Sequence, residues 1–328
     1  MQFDKLKRRT FIAGLGGAAA WPLAARAQQA SAKIYHIGIL SLVQRPNEGA
    51  LRQALRDLGY VEGRNVVYES RYGAGSVEQL AMGADELVRL KTDIIVTSGA
   101  PAAEAAKKAT NSIPVVMWGA GDPVATGLII DMAHPGGNMT GVTELAVELT
   151  AKRLQLFKEA IPDLTRVAII WNAGDRAMSL RFEEADTSAP RLGIQLIRFP
   201  INKSEDFAKA FDAMARERPD GVFVINDALT RLNEGALFEF LRANRLPSIF
   251  EFPANARDGA MMSYGPDLAE MAPRAAAFVD KIPKGAKPGD LPLEAPVRWH
   301  LIVNLNTARA VGVTIPPEIL LRADEVIE

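Results

Sequence analysis

Cysteine is absent from the 328 residues. Its absence removes disulfides, thiolate nucleophiles, cysteine–zinc sites and the lipidated cysteine of a bacterial lipoprotein. Histidine is scarce, and His36, His134 and His300 fall at no metal-like spacing. A surplus of one charge is missing too. Lys and Arg number 38 against 39 Asp and Glu, a formal net charge of -1, so nothing points to nucleic acid or an anionic membrane as partner. Long apolar runs are also lacking: the stretch from Phe11 to Ala25 is short for a bilayer helix, which needs about 20 residues. What is present is 48% hydrophobic and 23% charged residues, the composition of a soluble globular protein. The length suits two α/β domains better than one core.

The first residues read as an address. Lys5, Lys7, Arg8 and Arg9 precede the apolar stretch, and Ala25-Arg26-Ala27 forms a small-x-small cleavage site before Gln28. Arg8-Arg9-Thr10-Phe11-Ile12 has the form of a twin-arginine export signal. Residues 1–27 are therefore expected to be a leader removed after about Ala27, leaving the mature chain in the periplasm. Gly14-Leu15-Gly16-Gly17 imitates a dinucleotide fingerprint, but no strand precedes it.

Beyond the leader, strand-like and helix-like segments alternate, as they do in a parallel sheet covered by helices. Strands are expected at Ile34–Leu40, Val66–Arg71, Asp93–Thr97 and Pro114–Trp118, with helices near Glu48–Leu58, Val77–Leu90 and Ala102–Thr110. The same order recurs about 130 residues later. Strands are expected there at Val167–Trp171, Ile194–Phe199, Gly221–Ile225 and Pro247–Phe250, and helices near Met178–Leu192, Ser204–Arg216 and Asn233–Asn244. The fold class expected is α/β, with two doubly wound parallel-sheet lobes joined by a hinge. Pro135-Gly136-Gly137-Asn138 favours a turn, so the stretch from His134 to Glu144 is the natural crossover. The first lobe is expected over 33–143 plus roughly 262–296, the second over 144–261 plus roughly 297–328.

In open parallel sheets, ligands bind beyond the carboxyl ends of strands. In the first half those ends carry Ser41, Ser98-Gly99-Ala100, and Gly119-Ala120-Gly121-Asp122. They are rich in hydroxyls, glycines and amides, with Pro101 where the first turn of a helix tolerates it. Such a helix start favours an anion, most simply a carboxylate. Ser98 could equally cap its own helix. The second half offers the opposite chemistry: Asn172 after Trp171, Asp227 after Ile225-Asn226, and Glu251 after Phe250. Asp227 is placed to meet a cation or, as readily, to cap a helix. An anion-receiving lobe facing an acidic one describes a site for a zwitterion, and an α-amino acid fits. Trp118, Trp171, Phe250 and Tyr264 are candidates for apolar walls, though such residues also fill ordinary cores. Neither a metal nor a cofactor is expected.

Three blocks carry a family resemblance: Ile113 to Val142 ("IPVVMWGAGDPVATGLIIDMAHPGGNMTGV"), Ser263 to Glu294, and Asn304 to Glu328. Together with the leader they resemble the substrate-binding proteins of ABC transporters related to the tryptophan/tyrosine-type components, over essentially the whole chain. Ala125 stands where that family more often has glycine. The resemblance implies a type I periplasmic-binding-protein fold that closes about a hinge on a small solute, often an aromatic or branched amino acid, for delivery to a membrane permease. It implies that Ser98 and the following amides hold the carboxylate, that Gly119–Asp122 assists, and that Asp227 holds the ammonium; a monomer is expected. Two rivals remain open. A sensory protein docking on a receptor would look the same in sequence, whereas a secreted enzyme would need a nucleophile–base pair or metal cluster that the three histidines do not supply. A repressor of the same fold is not expected, because a leader stands in the place of a helix-turn-helix.

Overall fold

The computed structural model describes residues 33–45 and 47–328; the expected leader lies outside them. Two sheets organise the chain. The first holds β1 (Tyr35–Ser41), β2 (Val66–Tyr72), β3 (Ile94–Ser98), β4 (Val115–Trp118) and β5 (Met139–Val142). They are parallel throughout, in the order β2-β1-β3-β4-β5. Helices α1 (Glu48–Asp57), α2 (Val77–Arg89) and α3 (Ala100–Ala109) connect them. All five residues of β3 are buried, as a central strand covered on both faces requires. Ile94 and Val96 join the core layer under α1, whereas Ile95 joins that under α2 and α3, following the two-residue period.

The second half begins with α4 (Glu148–Ala160), β6 (Arg166–Asn172), α5 (Arg176–Ser188), β7 (Gln195–Ile201), α6 (Asp206–Glu217) and β8 (Gly221–Val224). It continues with α7 (Ala228–Leu232), α8 (Glu234–Ala243), β9 (Ser248–Phe250), α9 (Pro253–Asp258) and β10 (Met262–Gly265). After α10 (Leu268–Lys281) come β11 (His300–Asn304), α11 (Leu305–Val311), α12 (Pro317–Leu320) and β12 (Glu325–Ile327). The second sheet runs β12-β11-β10-β9-β8-β6-β7, parallel except where β10 meets β11. Each lobe is thus doubly wound, and the type I two-lobe fold is the one observed.

Side chains fix where helices start. Ser76 caps α2 by accepting from the Gln79 amide (3.2 Å). Asp267 caps α10 through Ala269 (2.8 Å) and Asn304 caps α11 through Thr307 (3.0 Å). In α2 the residues Leu80, Gly83, Ala84 and Leu87 are buried, a stripe at three-to-four spacing.

Two expectations need correction. The stretch from His134 to Glu144 is not only a turn, because Met139–Val142 forms β5 before the chain leaves the lobe. Gly141 disguises it: its φ is +132°, and a Cβ there would stand 2.2 Å from the Met117 carbonyl oxygen, so only glycine lets β5 lie beside β4. The strand at Met262, assigned to the first lobe from about residue 262, pairs instead with β9 and β11 in the second sheet. Buried main-chain groups bound by strands on both sides outweigh its place in sequence. The chain changes lobes after Val142, after Gly265 and after Glu294, since α10 packs on α1, β4 and β5 of the first lobe. At the connection two segments run side by side, with Thr143 donating its amide to Glu294 (2.9 Å) and Glu294 donating to Gly141 (3.0 Å).

Candidate functional site

The carboxyl ends of β1, β3 and β4 face those of β6, β8 and β9, with a cavity of about 360 Å³ between them. The lobes meet around it. A Cβ on Gly121 would lie 3.2 Å from Arg181 Nη2 and 3.5 Å from Ala177 Cβ, and one on Gly75 would lie 2.6 Å from Leu232. Ala100 of the first lobe packs into the second lobe's core, and Ala228 of the second into the first's.

On the first-lobe side, Ser98, Gly99, Ala100 and Gly119 line the cavity as expected from sequence. The amides divide differently from the expectation. Gly99 donates to the Gly119 carbonyl (3.0 Å) and Gly119 donates to Val142 (3.0 Å), so the glycine amides complete the sheet. Their positive φ values, +86° and +75°, turn the chain sharply enough to start α3 at the rim. Among the first amides of α3, which lack intrahelical partners, Pro101 has none to give, leaving those of Ala100 and Ala102. Beside this helix start stands Arg45, which sequence reading missed. Its Nη2 lies 3.2 Å from where a Gly99 Cβ would be, and its Nε is buried without a partner. Burial lowers its pKa, while Glu144 and Asp227 pull the other way. A guanidinium with no carboxylate partner among the described residues, next to a helix N-terminus, is an anion-binding arrangement.

On the second-lobe side, Asp227 lines the cavity and does one of the two jobs anticipated for it, capping a helix. Oδ1 accepts from the Thr230 amide (2.8 Å) and caps α7, while Oδ2 accepts from Asn172 Nδ2 (2.7 Å). A carboxylate fixed by two neutral donors still has lone pairs left for a further donor. Asn172 itself stands behind Asp227 and not on the cavity wall. Asp175, also missed, lines the cavity as the N-cap of α5, with Oδ1 accepting from the Ala177 amide (2.8 Å). Its Oδ2 is buried with no hydrogen-bond partner among the described residues. Burial, and then the charge of Asp227, raise its pKa to about 6.

The other expected residues stand off the wall. Glu251 is fully buried and already spent: Oε1 accepts from Arg153 (2.9 Å), and Oε2 from Arg181 (2.6 Å) and from the Asn226 amide (3.0 Å). Arg181 Nη2 also donates to Glu144 (3.0 Å). Burial pulls the Arg181 pKa down, but Glu251 and Glu144 outweigh it and hold the guanidinium charged. Tyr264 turns its carbonyl to Arg153 Nε (2.7 Å) and packs against the second core. Asp122 accepts from the Val147 amide (3.3 Å); burial raises its pKa to about 6, against the pull of Arg181. Ser41 and Ala120 are buried behind the wall. The aromatic candidates fill cores, with Trp118 donating to the Leu268 carbonyl (3.0 Å) and Trp171 stacked on Phe182 at 3.9 Å. The apolar wall is Leu42, Val43, Met178, Phe252 and Leu268 instead. No histidine lines the cavity.

The missed residues obey the rule that found the others. Asp175 lies three positions past the end of β6, and Arg45 four past the end of β1. Reading each strand-end loop to its following helix would have reached both.

Two doubly wound lobes with a polar-ended cavity between them define the class of two-lobed solute-binding proteins. The chain belongs to the ABC transporter substrate binding protein family, whose model matches residues 37–327. It is 25% identical over 285 residues to a tyrosine-binding protein of Clostridioides difficile (strain R20291), covering 85% of this chain and 81% of the relative. Among solved structures it is similar to a conserved domain protein from Vibrio cholerae (TM-score 0.85, 26% identity, 90% of this chain and 100% of that one). It is also similar to an ABC domain in complex with L-Trp from Streptococcus pneumonia (TM-score 0.84, 23% identity, 90% and 100%). A ligand-free, open substrate-binding protein from Clostridium difficile shares the fold at a TM-score of 0.64 and 22% identity, over 90% and 99%.

Proposed function

We propose that the chain is the periplasmic solute-binding component of an ABC importer, capturing an α-amino acid as its zwitterion and presenting it to an inner-membrane permease. The observation that carries this reading is the pairing of chemistries across the cavity. Arg45, Ser98 and the α3 amides offer donors and positive charge on one lobe, and Asp227 offers a carboxylate on the other. The names of the relatives, tyrosine-binding and L-Trp-bound, support an amino acid.

The mechanism needs no chemical step. The first lobe takes the carboxylate; Asp227 reaches the ammonium only when the lobes approach. A contact made in one state alone shifts the population toward that state, and each charge-assisted hydrogen bond contributes about 1.5–3 kcal/mol. Buried Arg181, joined to Glu144 at the interlobe connection and to Glu251 behind it, gives the second lobe a rigid floor.

The test is a thermal-shift screen of the mature chain against the amino acids and small carboxylates, followed by calorimetry on Asp227→Asn. At least one amino acid raises Tm by mass action. The asparagine keeps the α7 cap but loses the charge and the bond from Asn172, so affinity falls by about tenfold or more while stability falls by only about 1 kcal/mol. Unchanged affinity removes Asp227 from the site.

A further inference from the structure

Asp227 is not the last charged residue that α7 brings to the cavity. Arg231, one turn further along, lines it too, and its amide donates to the Asp227 carbonyl (3.1 Å). An acid and a base four positions apart on a helix ordinarily attract one another. Here no ion pair joins the two among the described residues. Asp227 turns its oxygens to the Thr230 amide and to Asn172. The ion contact that Arg231 makes is with Glu234 at 3.5 Å, longer than a good N–H···O bond. Its guanidinium therefore keeps donors free for something in the cavity.

The place of Arg231 follows from its neighbours on the helix. Ala228, before it, joins the first lobe's core layer together with Leu42 and Val43. Leu232, after it, meets Gly75, where a Cβ would stand 2.6 Å from Leu232 Cδ1. Gly75 in turn donates its amide to the Leu42 carbonyl (3.0 Å). So α7 lies against the segment that follows β1, and Arg45 belongs to that segment, three residues past Leu42. Arg45 and Arg231 thus line one cavity from opposite lobes, at the seam where α7 meets the first. Burial lowers the Arg45 pKa; Glu144 opposes the shift, and the positive charge of Arg231 reinforces it. Like charges brought together repel, and an anion between them removes the repulsion.

Resting on the amino-acid reading, we infer that Arg231 is a specificity-determining residue that binds the ligand's α-carboxylate from the second lobe, so that the carboxylate is bridged between Arg45 and Arg231. Asp227 takes the ammonium borne on the same carbon. The first lobe receives the carboxylate, and Arg231 reaches it only as the lobes approach. A contact made in that state alone shifts the population toward it. The helix then carries both partners of the zwitterion's head, an acid at its N-cap and a base one turn on. A solute lacking the carboxylate leaves the site's polar groups unpaired and is rejected for that reason. The ligand's side chain takes no part in this contact, so Arg231 selects the head group and not the particular amino acid.

Titration calorimetry on the full mature chain tests this, with the amino acid that most raises Tm and with its amide. The proteins are wild type, Arg231→Gln and Arg231→Lys, with urea midpoints to show that each variant folds; the side chain is 33% exposed. In Arg231→Gln the parent amino acid binds about tenfold or more weakly. The amide, already weak, changes by less than about threefold, so the preference for a free carboxylate narrows. Lysine keeps the charge without the planar fork and recovers part of the loss. Unchanged affinity for the parent in Arg231→Gln overturns the inference and leaves the amino-acid reading standing. An equal loss for parent and amide overturns it too, by making Arg231 a support for α7 and not a ligand contact. Where the amide binds too weakly to titrate, lysine decides, and a loss as large as that of glutamine rejects the bridge. If no amino acid raises Tm, the reading beneath it falls with it.

Discussion

Asp175 and Asp122 hold protons more tightly in the folded chain than a free carboxyl does. Burial raises both to about 6, against about 3.9 when unfolded. Between those values the folded state binds more protons than the unfolded one, so stability falls as pH rises. Each ionised group thus costs stability at pH 7, and the cost is relieved as pH drops through 6 and is gone below about 4. The ligand-free protein should therefore show a higher denaturation midpoint at pH 5 than at pH 7. Asp175→Asn, which cannot ionise, should be more stable than wild type at pH 7 by on the order of 1–3 kcal/mol, with the difference closing toward pH 4. Urea titrations of both proteins at the three pH values read this directly. A variant less stable than wild type at pH 7 would show that the free oxygen is not a burden. Ser98→Ala is a smaller change. It should weaken amino-acid binding by less than Asp227→Asn does, since the Ala100 and Ala102 amides and Arg45 remain, and calorimetry on the two variants ranks them.

Elements were legible from periodicity where it was strong. Apart from β5, the strands from Tyr35 to Phe250 and most of the helices between them lie within about two residues of their expected bounds, because buried runs and three-to-four stripes fix them locally. Met139–Val142 was not legible, since Gly141 and the preceding glycine turn read as a loop and only the neighbouring β4 makes it a strand. The same limit governs the site. Ser98, Gly99, Ala100 and Gly119 sit at strand ends, were expected and line the cavity; Asp227 was expected although it lies three residues past β8, as far as the unexpected Asp175 lies past β6, and Arg45 lies four past β1. Glu251 also follows a strand, and nothing local tells that Arg153, 98 residues away, and Arg181, 70 residues away, will occupy its oxygens. Those partners make a prediction of their own. Glu251→Gln leaves two buried guanidinium groups short of charge, which should cost about 3–5 kcal/mol in a denaturant titration. A loss below about 1 kcal/mol would mean that Glu144 alone balances the group.

At the scale of the whole molecule, the cavity lies where the two lobes meet, and the chain passes between them three times. Scattering from the mature chain should show a smaller radius of gyration with amino acid bound than without. The central claim is that the two ends of a zwitterion are gripped from opposite lobes. Titration calorimetry tests it most directly, using the amino acid that most raises Tm, its amide, which lacks the carboxylate, and its N-acetyl form, which lacks the ammonium. Each derivative removes at least one charge-assisted hydrogen bond and strands its buried partner, so each should bind about a hundredfold more weakly or not at all. Binding of either derivative within about threefold of the parent would contradict the account.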